Sequence, residues 1–419
     1  MLEKRWRETV RNHGPRTALT EASTGRSWTF SALAAAADAG EPEVVSGRVH
    51  PRGRDVSFVL EVLRAWRTGR PMCPLEPGQA PPAFPPLPGG VSLLKLTSGT
   101  TGTPKGVVLD AAQVAADADQ IVSTMGLRPE WPNLGVISLA HSYGFSNLVT
   151  PLLLHGIPLI LLETPLPRAL AAAAEGHQGL TLAAVPALWR TWHEAGSVPG
   201  NVRIALSAGA PLPLPLEEAV FRDHRLKVHN FLGASESGGI AYDRTDVPRI
   251  DASVVGTAMD GVTLSTGPDG TLVVRSPAVA RSYFPDDGDR LGNGAFRSTD
   301  LAEIGADGVL RLLGRTGDVV NVAGRKVLPA TVEQAALQHP AVADALAFGV
   351  PDPSGRGEAV GLVACPRAGQ VLDEAALRPF LAERLQPWEL PRRWWFRDSL
   401  AVDGRGKRSR AAWRQALLQ

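Results

Sequence analysis

Apolar positions in the first 68 residues recur with helical spacing, most clearly in "SALAAAADAG" and "VSFVLEVLRAWRTG", and predict helices there. The spacing ends at Gly69. From Gly69 to Gly90 the run "GRPMCPLEPGQAPPAFPPLPGG" holds eight prolines. Proline fixes φ and removes an amide donor, so this run predicts neither regular helix nor central strand but an extended connector crossing the surface. From residue 91 to about 275, short apolar runs alternate with helical patterns: "GVISLA", "IPLILLE", "LTLAAVP", "VRIALSAGA" and "KVHNFLG". Strands interleaved with helices predict an α/β domain, which "TLVVRS" and "VLRLLG" extend with later strands. After "GRTGD" (314–318) the pattern restarts with "VVNVAGRKV", "PATVEQAALQHP", "VADALAFGVP" and "AVGLVACP". That order of strand, helix, strand and strand predicts a separate small α+β domain. The expected fold class is therefore α/β: a large multi-sheet α/β domain over 1–316, with the 69–90 connector inside it, and a small α+β domain over 317–419.

The most apolar stretch, Leu148 to Leu166, is interrupted by Pro151, His155, Gly156, Pro158, Glu163 and Pro165. A buried helix followed by a strand over Ile157–Leu162 is expected there rather than a membrane span. A length of 419 residues exceeds what one hydrophobic core usually serves, in keeping with two domains. Lys plus Arg (43) nearly balances Asp plus Glu (42), so no basic excess points to nucleic acid. The two cysteines, Cys73 and Cys365, support neither a disulfide framework nor a thiolate metal site. The N-terminal "MLEKRWRETVRNHGPR" has charges where a signal peptide needs an apolar stretch, and a cytoplasmic enzyme is the expectation.

The chemistry concentrates first in "LKLTSGTTGTPKG" (94–106). Glycines after a strand leave backbone N–H groups free to face an anion, hydroxyls add donors, and Lys105 adds a fixed positive charge. The run fails the Walker pattern, because Gly99 and Gly102 are too close and Pro104-Lys105-Gly106 replaces G-K-[ST]. Composition alone leaves a phosphate cradle and a ligand-free loop both open.

"TSGTTGTPKG" resembles the signature loop of the adenylate-forming superfamily: acyl- and aryl-CoA synthetases, adenylation domains of nonribosomal peptide synthetases, and luciferase. Further motifs follow in that family's order: "SAGAPL" (207–212), "NFLGASES" (230–237), "FRSTDLAEI" (296–304), "GRTGDVVNVAGRKVLPATVE" (314–333) and "GRGKRSR" (404–410). The resemblance implies that a carboxylate attacks the α-phosphate of ATP, giving acyl-AMP and pyrophosphate, and that a thiol then takes the acyl group. Two anions must be brought together, so positioning and preorganised positive charge carry such a reaction.

By the same resemblance, Thr97, Ser98, Gly99, Thr100, Thr101, Gly102 and Lys105 would hold the β- and γ-phosphates. Gly209, Ala210 and Pro211 would border adenine, with Phe231, Leu232, Gly233 and Ala234, and Ser235 would take the place of the motif's Thr near the α-phosphate. Glu236 would hold Mg²⁺, a hard cation that takes oxygen ligands. Asp300 would accept from both ribose hydroxyls, and Arg315 would contact ribose or phosphate. Lys407 would act in adenylation, the two glycines before it, Gly404 and Gly406, suiting a mobile loop of a mobile C-terminal domain. His141, in "SLAHSYGFSN", would lie beside the acyl pocket, with Tyr143 and Phe145 as pocket wall or core. Arg392, Arg393, Arg397, Arg405, Arg408 and Arg410 read as solvated charge or as a landing surface for CoA phosphates or an acidic acyl carrier protein. Gly324 matches the glycine loop brought over the pantetheine tunnel, and equally a plain turn.

Four features depart from the family pattern. Leu232 stands where an adenine-stacking Tyr is usual, so adenine rests on an aliphatic face or Phe231 replaces it. Thr299 takes the glycine position of Thr-Gly-Asp. The hinge position falls on Gly317. The region before the phosphate loop is short. "HSYGFSNLVT" has no acidic residue to hold an α-amine, and Gly238-Gly239 would leave a roomy pocket floor. An aryl or fatty acid is therefore expected, with CoA as acceptor and ATP and Mg²⁺ required. The alternatives are an adenylating enzyme that loads carrier-protein phosphopantetheine, and a degenerate nucleotide-binding protein.

Overall fold

A computed structural model describes residues 1–97, 105–285, 288–352, 357–400 and 409–418. The chain forms two compact units: Met1–Ser265 with Val273–Arg297 and Ala306–Leu310, and Thr266–Leu272 with Ser298–Gly305 and Arg311–Gln419.

The first unit is built on parallel strands. In spatial order they are Val228–Ala234, Val202–Ser207, Leu180–Ala184, Asn133–Gly135, Leu159–Leu161 and Thr17–Glu21. All five residues of Leu180–Ala184 are buried, as expected of a strand covered on both faces. Leu159 and Leu161 pack into one core with Trp6, Phe30, Phe58 and Phe145. Ile160, between them, packs into a second core with Trp189 and Trp192, so the two cores occupy opposite faces of this strand. The Ala111–Met125 helix opens with a reciprocal capping box between Asp110 and Gln113 and ends at Gly126, whose φ of 65° needs no Cβ penalty. Thr17–Glu21 and Ser27–Thr29 lie in a region whose spacing suggested helices alone; the first joins the sheet parallel to Leu159–Leu161.

The proline-rich run is not a surface linker throughout. Met72, Cys73 and Leu75 are fully buried. Met72 bridges Val49 on one side and Leu93 on the other, completing a small layer between them. Cys73 N donates to Val49 O at 2.8 Å, Leu94 N to Met72 O at 2.8 Å, and Leu75 N to Pro51 O at 3.0 Å. Prolines occupy positions 71 and 74, flanking the two amides that the layer uses, so the missing donors cost nothing there. Burial pushes the Cys73 thiol up to about 12, and it stays protonated. Arg48, itself buried, donates to the carbonyls of Phe84 and Pro85 further along the run.

In the second unit the long hairpin Val342–Pro351 and Glu358–Pro366 is extended by Arg393–Phe396, parallel to its second strand. Alternation along the hairpin feeds two cores. Ala345, Ala347 and Leu362 pack with helices Pro329–Leu337 and Glu374–Ala382, whereas Leu346, Phe348 and Val363 pack with Trp395 and Trp413. The stretch read as one strand, "VVNVAGRKV", is a tight hairpin of Val320–Val322 with Arg325–Val327. Its two turn residues, Ala323 and Gly324, have φ of 49° and 84°, as a two-residue turn of this hand requires.

A buried strap makes a stability prediction that a surface linker does not. Met72→Ala should lower unfolding free energy in urea by about 2–5 kcal/mol, whereas truncation of an exposed linker residue stays within about 0.5 kcal/mol.

Candidate active site

The strand Asn133–Gly135 is followed in the chain by Leu159–Leu161 on one side of it and Leu180–Ala184 on the other. That reversal is a topological switch point, and open α/β sheets bind ligands beyond the carboxyl ends of their strands at such a point. Ala184 pairs with Ser207, and Ser207 with Asn230, so these strand ends lie level while Phe231–Ala234 runs further out. The segments that leave them carry the motif residues. Gly209, exposed with φ 86°, and exposed Pro211 flank half-buried Ala210, and Ala208 N donates to Ala184 O at 3.2 Å. Arg249 steadies the far side of this loop, donating to Leu212 O at 2.8 Å while pairing with buried Glu217 at 2.9 Å.

Alternation along Val228–Ala234 separates Phe231 from Leu232. Phe231 is buried, its ring 5.9 Å from that of Tyr143, and Gly233 and Gly239 lie close against it. Leu232 points to the other face and is half-exposed, and Gly233 is exposed. The ring of Phe231 is thus committed to packing, and Leu232 is the larger side chain that this strand end leaves partly open. Tyr143 donates to Ala184 O at 3.4 Å, and burial raises its phenol so that it stays protonated. Ser142 and Ser235 share a hydrogen bond of 2.7 Å, tying the histidine segment to the end of the Val228–Ala234 strand. His141 Nε2 lies 3.1 Å from a carboxylate oxygen of Glu76, a residue of the proline-rich strap.

Glu236 follows directly. Its Oε1 accepts from Tyr283 Oη at 3.0 Å, and its carbonyl accepts from Ala280 N at 2.8 Å. Burial, then the charge of Glu236, raises the Tyr283 phenol, so it remains a donor to the carboxylate. Tyr283 belongs to the strand Ser282–Phe284, which pairs antiparallel with Lys105–Leu109; that strand pairs in turn with Leu93–Thr97. Thr97 and Lys105 are direct partners, with Thr97 Oγ1 donating to Lys105 O at 3.3 Å. The ladder therefore joins the two ends of the motif and sets Lys105–Leu109, the strand that leaves it, directly beside the tyrosine that holds Glu236. Ser98, Gly99, Thr100, Thr101 and Gly102, and likewise Lys407, lie outside the described residues. The carboxylate of Glu236 and the hydroxyl of Ser235 are hard oxygen donors, a set that fits Mg²⁺ shared with substrate phosphates. Among the described residues no group of three or more His, Cys, Asp or Glu could hold a metal, so such an ion would depend on those phosphates.

Behind this turn lies a buried network that motif reading missed. Lys95 and Asp117 side chains are each 5% exposed and 3.7 Å apart. Ser146 Oγ donates to Asp117 Oδ2 at 2.5 Å, and Gly239 N donates to Asp117 Oδ1 at 3.1 Å. A Cβ on Gly238 would collide with the Asp117 carboxylate, and one on Gly239 with the Met259 sulfur. The two glycines therefore admit Asp117 and Met259 rather than enlarging a pocket floor, which corrects the expectation of open room there. The signals were a lysine inside the apolar run "LLKLT" and an aspartate on the buried stripe of Val114, Ala118 and Ile121. Ser146 lies in a π-helical turn, Phe145–Val149, a rare conformation often found at functional sites.

Asp300 and Arg315 belong to the second unit. Arg315 Nε donates to Asp300 Oδ1 at 2.9 Å, and Ser298 Oγ donates to Asp300 Oδ2 at 2.9 Å. Thr299 sits in the regular strand Ala295–Ile304, so the position needs no glycine conformation. Gly317 does not use the left-handed region, and nothing would touch a Cβ there.

The network predicts a charge effect. Asp117→Asn leaves Lys95 buried without its counter-charge and should cost about 3–5 kcal/mol in chemical denaturation. Adding Lys95→Met should recover most of that loss; two independent, additive losses would show that the ions are not coupled.

Comparison with known proteins accords with this geometry. Residues 10–284 match the AMP-binding enzyme family and residues 331–407 match the AMP-binding enzyme C-terminal domain. A sulfoacetate–CoA ligase of Cupriavidus necator is 30% identical over 360 residues, covering 80% of this chain and 69% of that protein. A feruloyl-CoA synthase of Amycolatopsis is 28% identical over 347 residues, covering 78% of this chain and 70% of that protein. The crystal structure of ATP-bound MatB from Rhodopseudomonas palustris has the same fold, with a TM-score of 0.88 at 20% identity over 99% of both chains. The chain belongs to the AMP-binding enzymes, the adenylate-forming superfamily.

Proposed function

We propose that the protein joins an aryl or fatty carboxylic acid to AMP and then transfers the acyl group to the thiol of CoA. A carboxylate oxygen attacks the α-phosphorus of ATP and the bond to the β-phosphate oxygen breaks, releasing pyrophosphate. The thiol then attacks the acyl carbon and AMP departs. The observation that carries this reading is the convergence of Glu236, its tyrosine donor Tyr283 and the strand opening at Lys105, beside the turn that holds Ser235 against Ser142. The relatives named above, being CoA ligases by description, support CoA as acceptor.

In this reading Thr97 to Lys105 hold the pyrophosphate that leaves, and Lys407 supplies positive charge as the carboxylate attacks. Asp300 turns a carboxylate to the ribose hydroxyls, with Arg315 beside it. Gly209, Ala210, Pro211 and Leu232 border the adenine. Mg²⁺ on Glu236 would screen the phosphates from the incoming anion. The acid class is supported by the carboxylates near the candidate site. Glu76 already pairs with His141, and Asp117 with Lys95, so neither is offered as an anchor for an α-amine.

Hydroxylamine trapping across a panel of carboxylic acids, with ATP and Mg²⁺, should give hydroxamates from aryl or fatty acids; a response confined to amino acids would sink the acid assignment. With CoA added, a thioester should form, and acyl transfer to a carrier protein alone would replace CoA as acceptor. Lys407→Ala should lower ATP–pyrophosphate exchange by roughly 10²–10³-fold with nucleotide binding retained. Glu236→Gln should cost on the order of 100-fold and raise the Mg²⁺ concentration needed for half-maximal exchange; an unchanged Mg²⁺ dependence removes Glu236 from the metal.

A further inference from the structure

The strap that sequence reading took for a linker delivers a carboxylate to the histidine of the acid site. We propose that Glu76 is a positioning residue that fixes the ring of His141, a proposal that rests on the reading of His141 as part of that site. His141 Nε2 and Glu76 Oε1 are 3.1 Å apart. A carboxylate only accepts, so a bond between these two atoms needs the hydrogen on Nε2. The same oxygen accepts from Ser138 Oγ, and Ser138 Oγ accepts from Ala140 N at 3.2 Å. One carboxylate therefore gathers the turn from Ser138 to His141, immediately before Ser142 reaches Ser235.

Glu76 can do this because its own place is fixed. Pro74 and Pro77 flank the Leu75–Glu76 pair and restrict the backbone on both sides. Glu76 N donates to Gln79 Oε1 at 3.1 Å, and Gln79 N returns a bond to Glu76 O at 3.0 Å. Upstream, Met72 to Leu75 are tied to Val49, Pro51 and Leu94 by backbone hydrogen bonds. The pair itself is partly open, at 42% and 32% side-chain exposure, so its ion-pair energy is screened. What it supplies is orientation, since a misplaced group at a reacting centre is costly in rate.

The test combines a spectrum with a mutant cycle on the full-length enzyme. In ¹⁵N-histidine-labelled protein, with His141→Ala identifying the signal, wild type should show the Nε2–H form. Glu76→Gln should keep it through the amide oxygen, and Glu76→Ala should lose it. A His141 signal unmoved by Glu76→Ala overturns the proposal. ATP–pyrophosphate exchange with benzoate, ferulate and decanoate as acids then reads the consequence. Glu76→Ala should lower kcat/KM for the acid about 10-fold, with KM for ATP and thermal midpoint little changed and most activity kept by Glu76→Gln. Combined with His141→Ala, it should add no further loss. Additive losses, or equal effects on both substrates, overturn the positioning role while leaving His141 in the acid site. A silent His141→Ala, with the spectral coupling intact, instead removes His141 from the acid site.

Discussion

Asp117 lies on the Ala111–Met125 helix with its side chain almost wholly out of water, and a carboxylate at that depth is stable only when its oxygens are satisfied. Its partners come from three other parts of the chain: Lys95 on the strand leading to the phosphate loop, Ser146 in the π-helical turn after His141, and the amide of Gly239 after Glu236. Meeting the demands of one buried charge therefore sets the mutual position of the phosphate-loop strand, the histidine segment and the Glu236 turn. The glycines at 238 and 239 follow from the same demand, since any side chain there would displace Asp117 or Met259.

The strap solves a different problem. Eight prolines in 22 residues would usually forbid a layered segment, because each removes a ladder donor. Here the prolines alternate with residues whose amides are used, so Met72 and Cys73 sit inside a sheet layer and Leu75 in a core. The rigidity that proline imposes then becomes useful, holding Glu76 at a fixed height against His141.

Much of the candidate site is legible as candidates in the sequence because its motifs are local. A glycine-hydroxyl loop, the Ser235-Glu236 turn and an Asp300 strand each announce themselves within ten residues, since close backbone approach and charge placement need particular residue types at adjacent positions. The strand–helix alternation was legible for the same reason: it is written in short-range periodicity. Contacts between distant segments were not. Tyr283 and Glu236 are 47 residues apart, Ser142 and Ser235 are 93, and nothing in either member of a pair names the other. Glu76 was hidden further by its setting, because proline-rich composition describes backbone freedom and says nothing about what such a backbone presents.

The amino-acid sequence by itself determined the family and the broad alternation of strands and helices, because these depend on local spacing and on residue chemistry. It did not determine which side of its strand Phe231 takes, what the glycines at 238 and 239 make room for, or which carboxylate meets His141. Those depended on strand register and on which buried charge finds which partner. Phe231 turns inward because alternation along its strand is fixed by pairing with Tyr242 across the sheet, and Leu232 is turned outward by the same pairing. Only tertiary packing sets that register, since the side of a strand that a residue occupies is decided by its neighbours.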